Sequence, residues 1–201
     1  MGGITTSGKT TTALRLLFEQ PGFKVFLNLK NEPKWHTYFN FVVYGVEGLH
    51  AAEAYILVNH PDWNVRLCYN PDPEVDFKDI EPVIDHLWKL HRNMAIPRTT
   101  LAIDEVHNIM SVRKIPKYVA RWFRQGLSLG MFGIAISQFF QDINKEVSHN
   151  CEVFVLHELV KQDIDYIIEN GCVNEGFMQD LVYTPKCNRV HGDRVCALSH
   201  S

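Results

Sequence analysis

Near the start of the chain stands Gly3-Ile4-Thr5-Thr6-Ser7-Gly8-Lys9-Thr10. It fits G-x-x-x-x-G-K-[ST], the spacing of a loop that wraps a phosphate. Two glycines let successive backbone N–H groups turn inward on an anion. Lys9 is placed to reach the outer phosphates as a point charge, and the Thr10 hydroxyl to ligate Mg²⁺. The expected nucleotide-contacting set is Gly3, Thr5, Thr6, Ser7, Gly8, Lys9, Thr10 and Thr11. A second group lies far downstream. Thr99-Thr100-Leu101-Ala102-Ile103-Asp104-Glu105 is an apolar run ending in two carboxylates, the form of a buried parallel strand that delivers acids at its carboxyl end. Beside a phosphate loop, Asp104 is expected to hold Mg²⁺ through its water shell and Glu105 to polarise an attacking water.

Two more candidates follow. Met131 to Gln138 reads as another buried strand, and Gln138 at its end is placed to reach a γ-phosphate or its water. Ser111 to Gly130 is the most basic window, with Arg113, Lys114, Lys117, Arg121 and Arg124 and no acid among them. It serves either as a solvated helix face or as a phosphate-contacting one, toward a nucleic acid or a neighbouring subunit's ATP.

These side chains need a sheet to converge. Thr11 to Glu19 has Ala13, Leu14, Leu17 and Phe18 at helical spacing, so its amino end would point a positive dipole at the nucleotide. After the Pro21-Gly22 break, Phe23 to Leu29 reads as a strand. Leu49 to Asn59 suits a helix, and the alternation over Trp63 to Tyr69 suggests an edge strand. Asp79 to His91 is a helix with Asp79 as N-cap and Pro82 in its tolerant first turn. Cys151 to His157 reads as a further strand, and Gln162 to Glu169 as a short helix stopped by Asn170-Gly171.

The expectation is one domain over residues 1–201. Its core is about 3–157, and residues 158–201 supply a helix and a terminal hairpin. Alternating strands and helices imply an α/β fold, a mostly parallel sheet with helices on both faces. The strand that normally leads into such a loop is missing from the residues before Gly3; a start assigned too far downstream, or a fragment, explains this better than a rearranged sheet. A chain lacking a central strand is expected to be weakly stable.

Composition bounds the rest. The chain has 201 residues, 46% of them apolar, and a net charge of −3, so disorder and a uniformly basic coat protein are both disfavoured. No apolar run reaches membrane-spanning length and no secretory signal opens the chain. Residues 1–6 formally match a myristoylation pattern, discounted because acylation at Gly2 would crowd the phosphate loop. Five cysteines without a CxxC pair fit a reducing, cytoplasmic setting. Cys172, Cys187, His191 and Cys196 match no common zinc spacing and are read as a terminal hairpin with free thiols.

Taken together, GITTSGKT, LAIDEVHN and RWFRQGLSLGMFGIAISQ resemble the HerA/FtsK superfamily of ring-forming P-loop ATPases, and most of all the viral genome-packaging type, including those of archaeal viruses. The resemblance spans about residues 3–157. It implies a RecA-like P-loop NTPase fold of the additional-strand kind, with ATP and Mg²⁺ as ligands. It also implies a homo-oligomeric ring, hexameric or pentameric, around double-stranded DNA, with capsid-vertex or portal partners. The setting would be the host cytoplasm or the virion, without stable membrane insertion. By position, Gln138 would be the sensor, and Arg124, before Arg121, the arginine finger offered to the next subunit. Conjugation and phage-assembly ATPases of the same superfamily are the nearest alternative. A GTP switch lacks an Asn-Lys-x-Asp motif here, and a nucleotide kinase would need an arginine-rich lid rather than arginines ahead of a buried strand.

Overall fold

The computed structural model describes residues 9–72, 80–138, 142–148, 150, 153–155, 169 and 197–199. The loop from Gly3 to Gly8, the Asp79 cap, the helix expected over Gln162 to Glu169 (save Glu169 itself) and the Cys172, Cys187, His191 and Cys196 set lie outside these residues.

The described chain runs α1 (Lys9–Glu19), β1 (Phe23–Leu27), a 3₁₀ segment (Pro33–Tyr38), β2 (Phe41–Tyr44), α2 (Gly45–Asn59) and β3 (Arg66–Asn70). It continues with α3 (Ile80–Asn93), β4 (Thr99–Ile103), α4 (Lys117–Gln125), β5 (Met131–Ala135) and a short α5 (Lys145–Ser148). Five strands form one sheet in the order β2-β3-β1-β4-β5, every neighbouring pair parallel. In register, Phe23 faces Thr99 and Leu27 faces Ile103.

Alternation along the strands sorts the core into two layers. Phe26, Cys68 and Ala102 pack with Ala13, Leu14 and Leu17 of α1. Val25, Leu27, Leu67, Leu101 and Ile103 point the other way, into a larger core with Leu49 and Ile56 of α2, Ile84 and Leu87 of α3 and Trp122 of α4. The inner strands β1 and β4 are buried along their whole length, as mostly apolar parallel strands covered on both faces are, with Lys24, Thr99 and Thr100 the buried polar residues near their amino ends. Each fully buried large side chain contributes about 1.5–3 kcal/mol. Gly133 of β5 lets α4 come close: a Cβ there would lie 2.6 Å from the Phe123 ring.

Two expectations need correction. The stretch Trp63 to Tyr69 is not an edge strand. β3 starts at Arg66 and lies inside the sheet between β2 and β1. Its polar residue misleads because Arg66 lays its guanidinium over the Phe18 ring at 4.4 Å, so a charged side chain covers apolar surface. The outer strand on that side is β2, from an aromatic-rich stretch broken by Pro33 and Gly45. Nor does the strand within Cys151 to His157 extend the parallel sheet. β6 (Val153–Val155) pairs antiparallel with β7 (Ala197–Ser199) as a separate two-stranded sheet. No helix among the described residues is long and apolar enough to cross a membrane.

Candidate active site

Because all five strands are parallel, their carboxyl ends share one side, and the polar residues following each strand meet there. β4 ends at Ile103, and Asp104 N–H continues the ladder to Leu27 O at 3.1 Å. Two residues on, Val106 N–H donates to Ile136 O at 2.9 Å. Between these two ties Glu105 adopts a left-handed conformation (φ 50°, ψ 50°) before a short 3₁₀ turn. A non-glycine residue held there costs about 1–3 kcal/mol, and such strain gathers at functional sites. Both acids are buried, Asp104 at 3% and Glu105 at 7% exposure.

The surroundings differ for the two acids. Thr10, in the first turn of α1, donates its hydroxyl to Asp104 Oδ1 at 3.3 Å. Glu105 Oε1 pairs with the Lys30 ammonium and accepts a hydrogen bond from Gln138 Nε2 at 2.9 Å. Its other oxygen, Oε2, has no hydrogen-bond partner. His107 Nδ1 lies 3.4 Å from Oε2, near enough to feel its charge but not aligned to donate, and that nitrogen is also 3.1 Å from Ser137 Oγ. Burial pushes the Asp104 carboxyl up to about 6; the Glu105 charge adds to this, and the Lys30 ammonium opposes it.

Lys30 is fixed by a turn at the end of β1. Asn28 N–H donates to Tyr69 O, the Asn28 side chain bonds to the Glu32 backbone both ways, and Asn31 N–H returns to Asn28 O at 3.0 Å. Asn28 also donates to Asn70 Oδ1 at 2.8 Å, which joins the ends of β1 and β3 through a buried amide pair.

The structure thus brings together Thr10, Asp104, Glu105 and Gln138, four of the residues singled out from sequence, and adds Lys30 and His107, which were not. The only sequence signal for Lys30 is a lone lysine just past an apolar strand. Gly3, Thr5, Thr6, Ser7 and Gly8 are outside the described residues; Lys9 and Thr11 are in the first turn of α1.

Arg124 lies elsewhere. It lies in the last turn of α4, is half-exposed, and its Nη2 is 3.1 Å from Glu146 Oε2 of α5, without hydrogen-bond alignment. The acid-free window therefore has an acid partner from outside it. Arg121 stacks over Trp88 at 4.3 Å. The basic window is not one helix: Ser111 and Lys114 bridge a tight turn that exposes Arg113, and α4 begins only at Lys117.

Thr10 and Asp104 suit a magnesium ion. Mg²⁺ usually keeps several of its waters, so the Thr10 hydroxyl could ligate it while Asp104 Oδ1, 3.3 Å from that hydroxyl, would hold one of those waters. A buried carboxyl held above its usual range is also one that a cation would return to its charged form.

No family model and no curated protein matches the sequence. Solved structures do match in fold. The genome packaging NTPase B204 from Sulfolobus turreted icosahedral virus 2, in complex with sulfate, aligns with TM-score 0.62 at 14% identity, over 89% of this chain and 82% of that one. Its complex with ATP-gammaS aligns at 0.61 and 11% identity with the same coverage, and its complex with AMPPCP at 0.61 and 12%, over 89% and 83%. The chain therefore has the α/β fold of a viral genome-packaging P-loop NTPase.

Proposed function

We propose that this protein hydrolyses ATP and, more specifically, works as a genome-packaging motor ATPase that drives double-stranded DNA through a homo-oligomeric ring. The observation that carries the reading is Glu105. It is buried and left-handed beside the Thr10–Asp104 pair, with one carboxylate oxygen engaged by Lys30 and Gln138 and the other without a hydrogen bond. The similarity in fold to B204, described in complex with nucleotide analogues, supports it.

In this reading the loop from Gly3 to Gly8, with Lys9 and Thr11, holds the triphosphate. Thr10 and Asp104 hold Mg²⁺, which would neutralise phosphate charge when bound. Lys30 and Gln138 fix the Glu105 carboxylate, and its second oxygen accepts the proton of the attacking water. Gln138 contacts Glu105 and would reach the γ-phosphate or its water from there, which suits a sensor. Arg124 serves as the finger for the next subunit. Its pair with Glu146 joins two half-exposed side chains, worth at most about 1 kcal/mol, so a neighbour's phosphate can displace Glu146. Hexameric or pentameric assembly, capsid-vertex or portal partners, and action in the host cytoplasm or virion belong to the same proposal.

Long linear double-stranded DNA should raise the ATP hydrolysis rate of the purified chain. Phosphate transfer to a nucleoside acceptor, with no response to DNA, would favour a kinase instead. Mixing inactive Glu105→Gln and Arg124→Ala proteins should restore part of the activity, because some interfaces then pair an intact glutamate with an intact neighbouring arginine. No recovery in rings shown to be mixed would remove Arg124 from the mechanism.

A further inference from the structure

A second cluster of metal-ligating side chains lies away from α1, on the sheet face covered by α2, α3 and α4. His50 and Glu53 are one turn apart on α2, so they share a face. His86 reaches them from α3. Its Nε2 is 2.8 and 3.0 Å from the two Glu53 oxygens, and the His50 and His86 rings are 4.7 Å apart between centroids. One ligand atom from each residue lies within 4.8 Å of the others.

Glu53 occupies the wrong kind of position for a carboxylate. It is 6% exposed and follows Leu49 and Ala52 in the buried stripe of α2. A buried acid requires a compensating positive group. Among the described residues the ion-pair partner of Glu53 is His86, while Lys89, further along α3, pairs with Asp85 on its own helix. His86 alone, if protonated, would make an ion pair. The exposed His50 has no part in such a pair, yet its ring lies 4.7 Å from that of His86 and its ligand atom within 4.8 Å of the Glu53 carboxylate, an arrangement that a shared cation accounts for.

We propose that His50, Glu53 and His86 bind a divalent transition cation of the zinc type, fastening α2 to α3. Two imidazoles and one carboxylate form a three-ligand zinc set that leaves a fourth position for water. Imidazole ligation also separates this site from Thr10 and Asp104, whose oxygen ligands favour Mg²⁺.

Titration of the full chain with Co²⁺, a visible probe for zinc sites, tests this. One equivalent should bind with ligand-field absorption and no thiolate charge-transfer band, be displaced by Zn²⁺, and resist excess Mg²⁺. His50→Ala, at an exposed position that does not disturb the fold, should weaken binding by more than about 100-fold, beyond what loss of an outer partner costs. Glu53→Gln should do the same, and Zn²⁺ should raise the melting temperature of the unsubstituted protein alone. Absence of stoichiometric binding would overturn the proposal and leave a Glu53–His86 ion pair. Binding that survives in His50→Ala would overturn it, and a thiolate band would overturn it in favour of the cysteines.

Discussion

The two ends of the parallel sheet both bury polar side chains, but they treat them differently. At the amino end, Lys24 is buried, yet its ammonium donates to Gly22 O at 2.6 Å and to Asn64 Oδ1 at 2.8 Å. Burial, helped by Arg66 and opposed by Asp62, lowers its pKa. His91 bridges Thr99 Oγ1 and Leu129 O, both at 2.9 Å, and burial lowers its pKa too. These partners are neutral and suited to holding elements together. At the carboxyl end, two acids are adjacent, one is held in a strained conformation, and an oxygen of Glu105 is left without a hydrogen bond. The amino end also leaves a buried atom unpartnered, the Thr100 hydroxyl, but that group is neutral; at the carboxyl end it is a charge that is left short, and a buried charge short of partners is available for chemistry.

If that contrast is right, removing charge at the carboxyl end should stabilise the protein, and removing it at the amino end should not. Asp104 is the strongest case. Its pKa rises from 3.8 to about 6, so the folded chain keeps a proton that the unfolded chain has released. The stability that Asp104 contributes is then fully present below about pH 4 and is lost as pH rises through about 6. Two units at 1.36 kcal/mol each come to about 3 kcal/mol. Asp104→Asn should therefore stabilise the ligand-free protein at neutral pH by up to about 3 kcal/mol, flatten its stability between pH 4 and 6, and abolish Mg²⁺-dependent hydrolysis. Urea unfolding across that range checks this, and a less stable variant would break the comparison.

Midway along the sheet the cost is one of shape. Gly133→Ala places a methyl 2.6 Å from the Phe123 ring and should destabilise by about 1–3 kcal/mol, read as a lower denaturation midpoint with an unchanged m-value. The smallest effect belongs to the amino end. Lys24→Met removes a donor from Gly22 O and Asn64 and should cost about 1 kcal/mol, with ATP turnover unchanged. A loss of turnover there would show that the two ends are not separable.

Much of the carboxyl end was legible in the sequence. Thr10, Asp104, Glu105 and Gln138 each carry a local signal, a loop motif or an apolar strand running into a polar residue. Lys30 does not. It reaches Glu105 across 75 residues only because β1 pairs with β4, and strand order is set by packing rather than local pattern. The same cause hid the place of β3, since whether a strand lies inside or at the edge depends on its neighbours; here the four-residue β2 covers it. The partner of Arg124 was invisible for a related reason. Glu146 lies on a separate helix beyond β5, so a window free of acids did not mean an arginine free of them. His50, Glu53 and His86 likewise converge only once α2 and α3 lie side by side.

The central claim is that Glu105 is the group that activates water. Steady-state ATP turnover, measured with ATP affinity on Glu105→Gln beside the unsubstituted protein, tests it most directly. Glutamine keeps the shape and still accepts a hydrogen bond from Gln138, while Lys9, Thr10 and Asp104 are untouched. Affinity should hold within a few-fold, and turnover should fall by about 10²- to 10⁴-fold. Equal turnover in the two proteins would contradict the account.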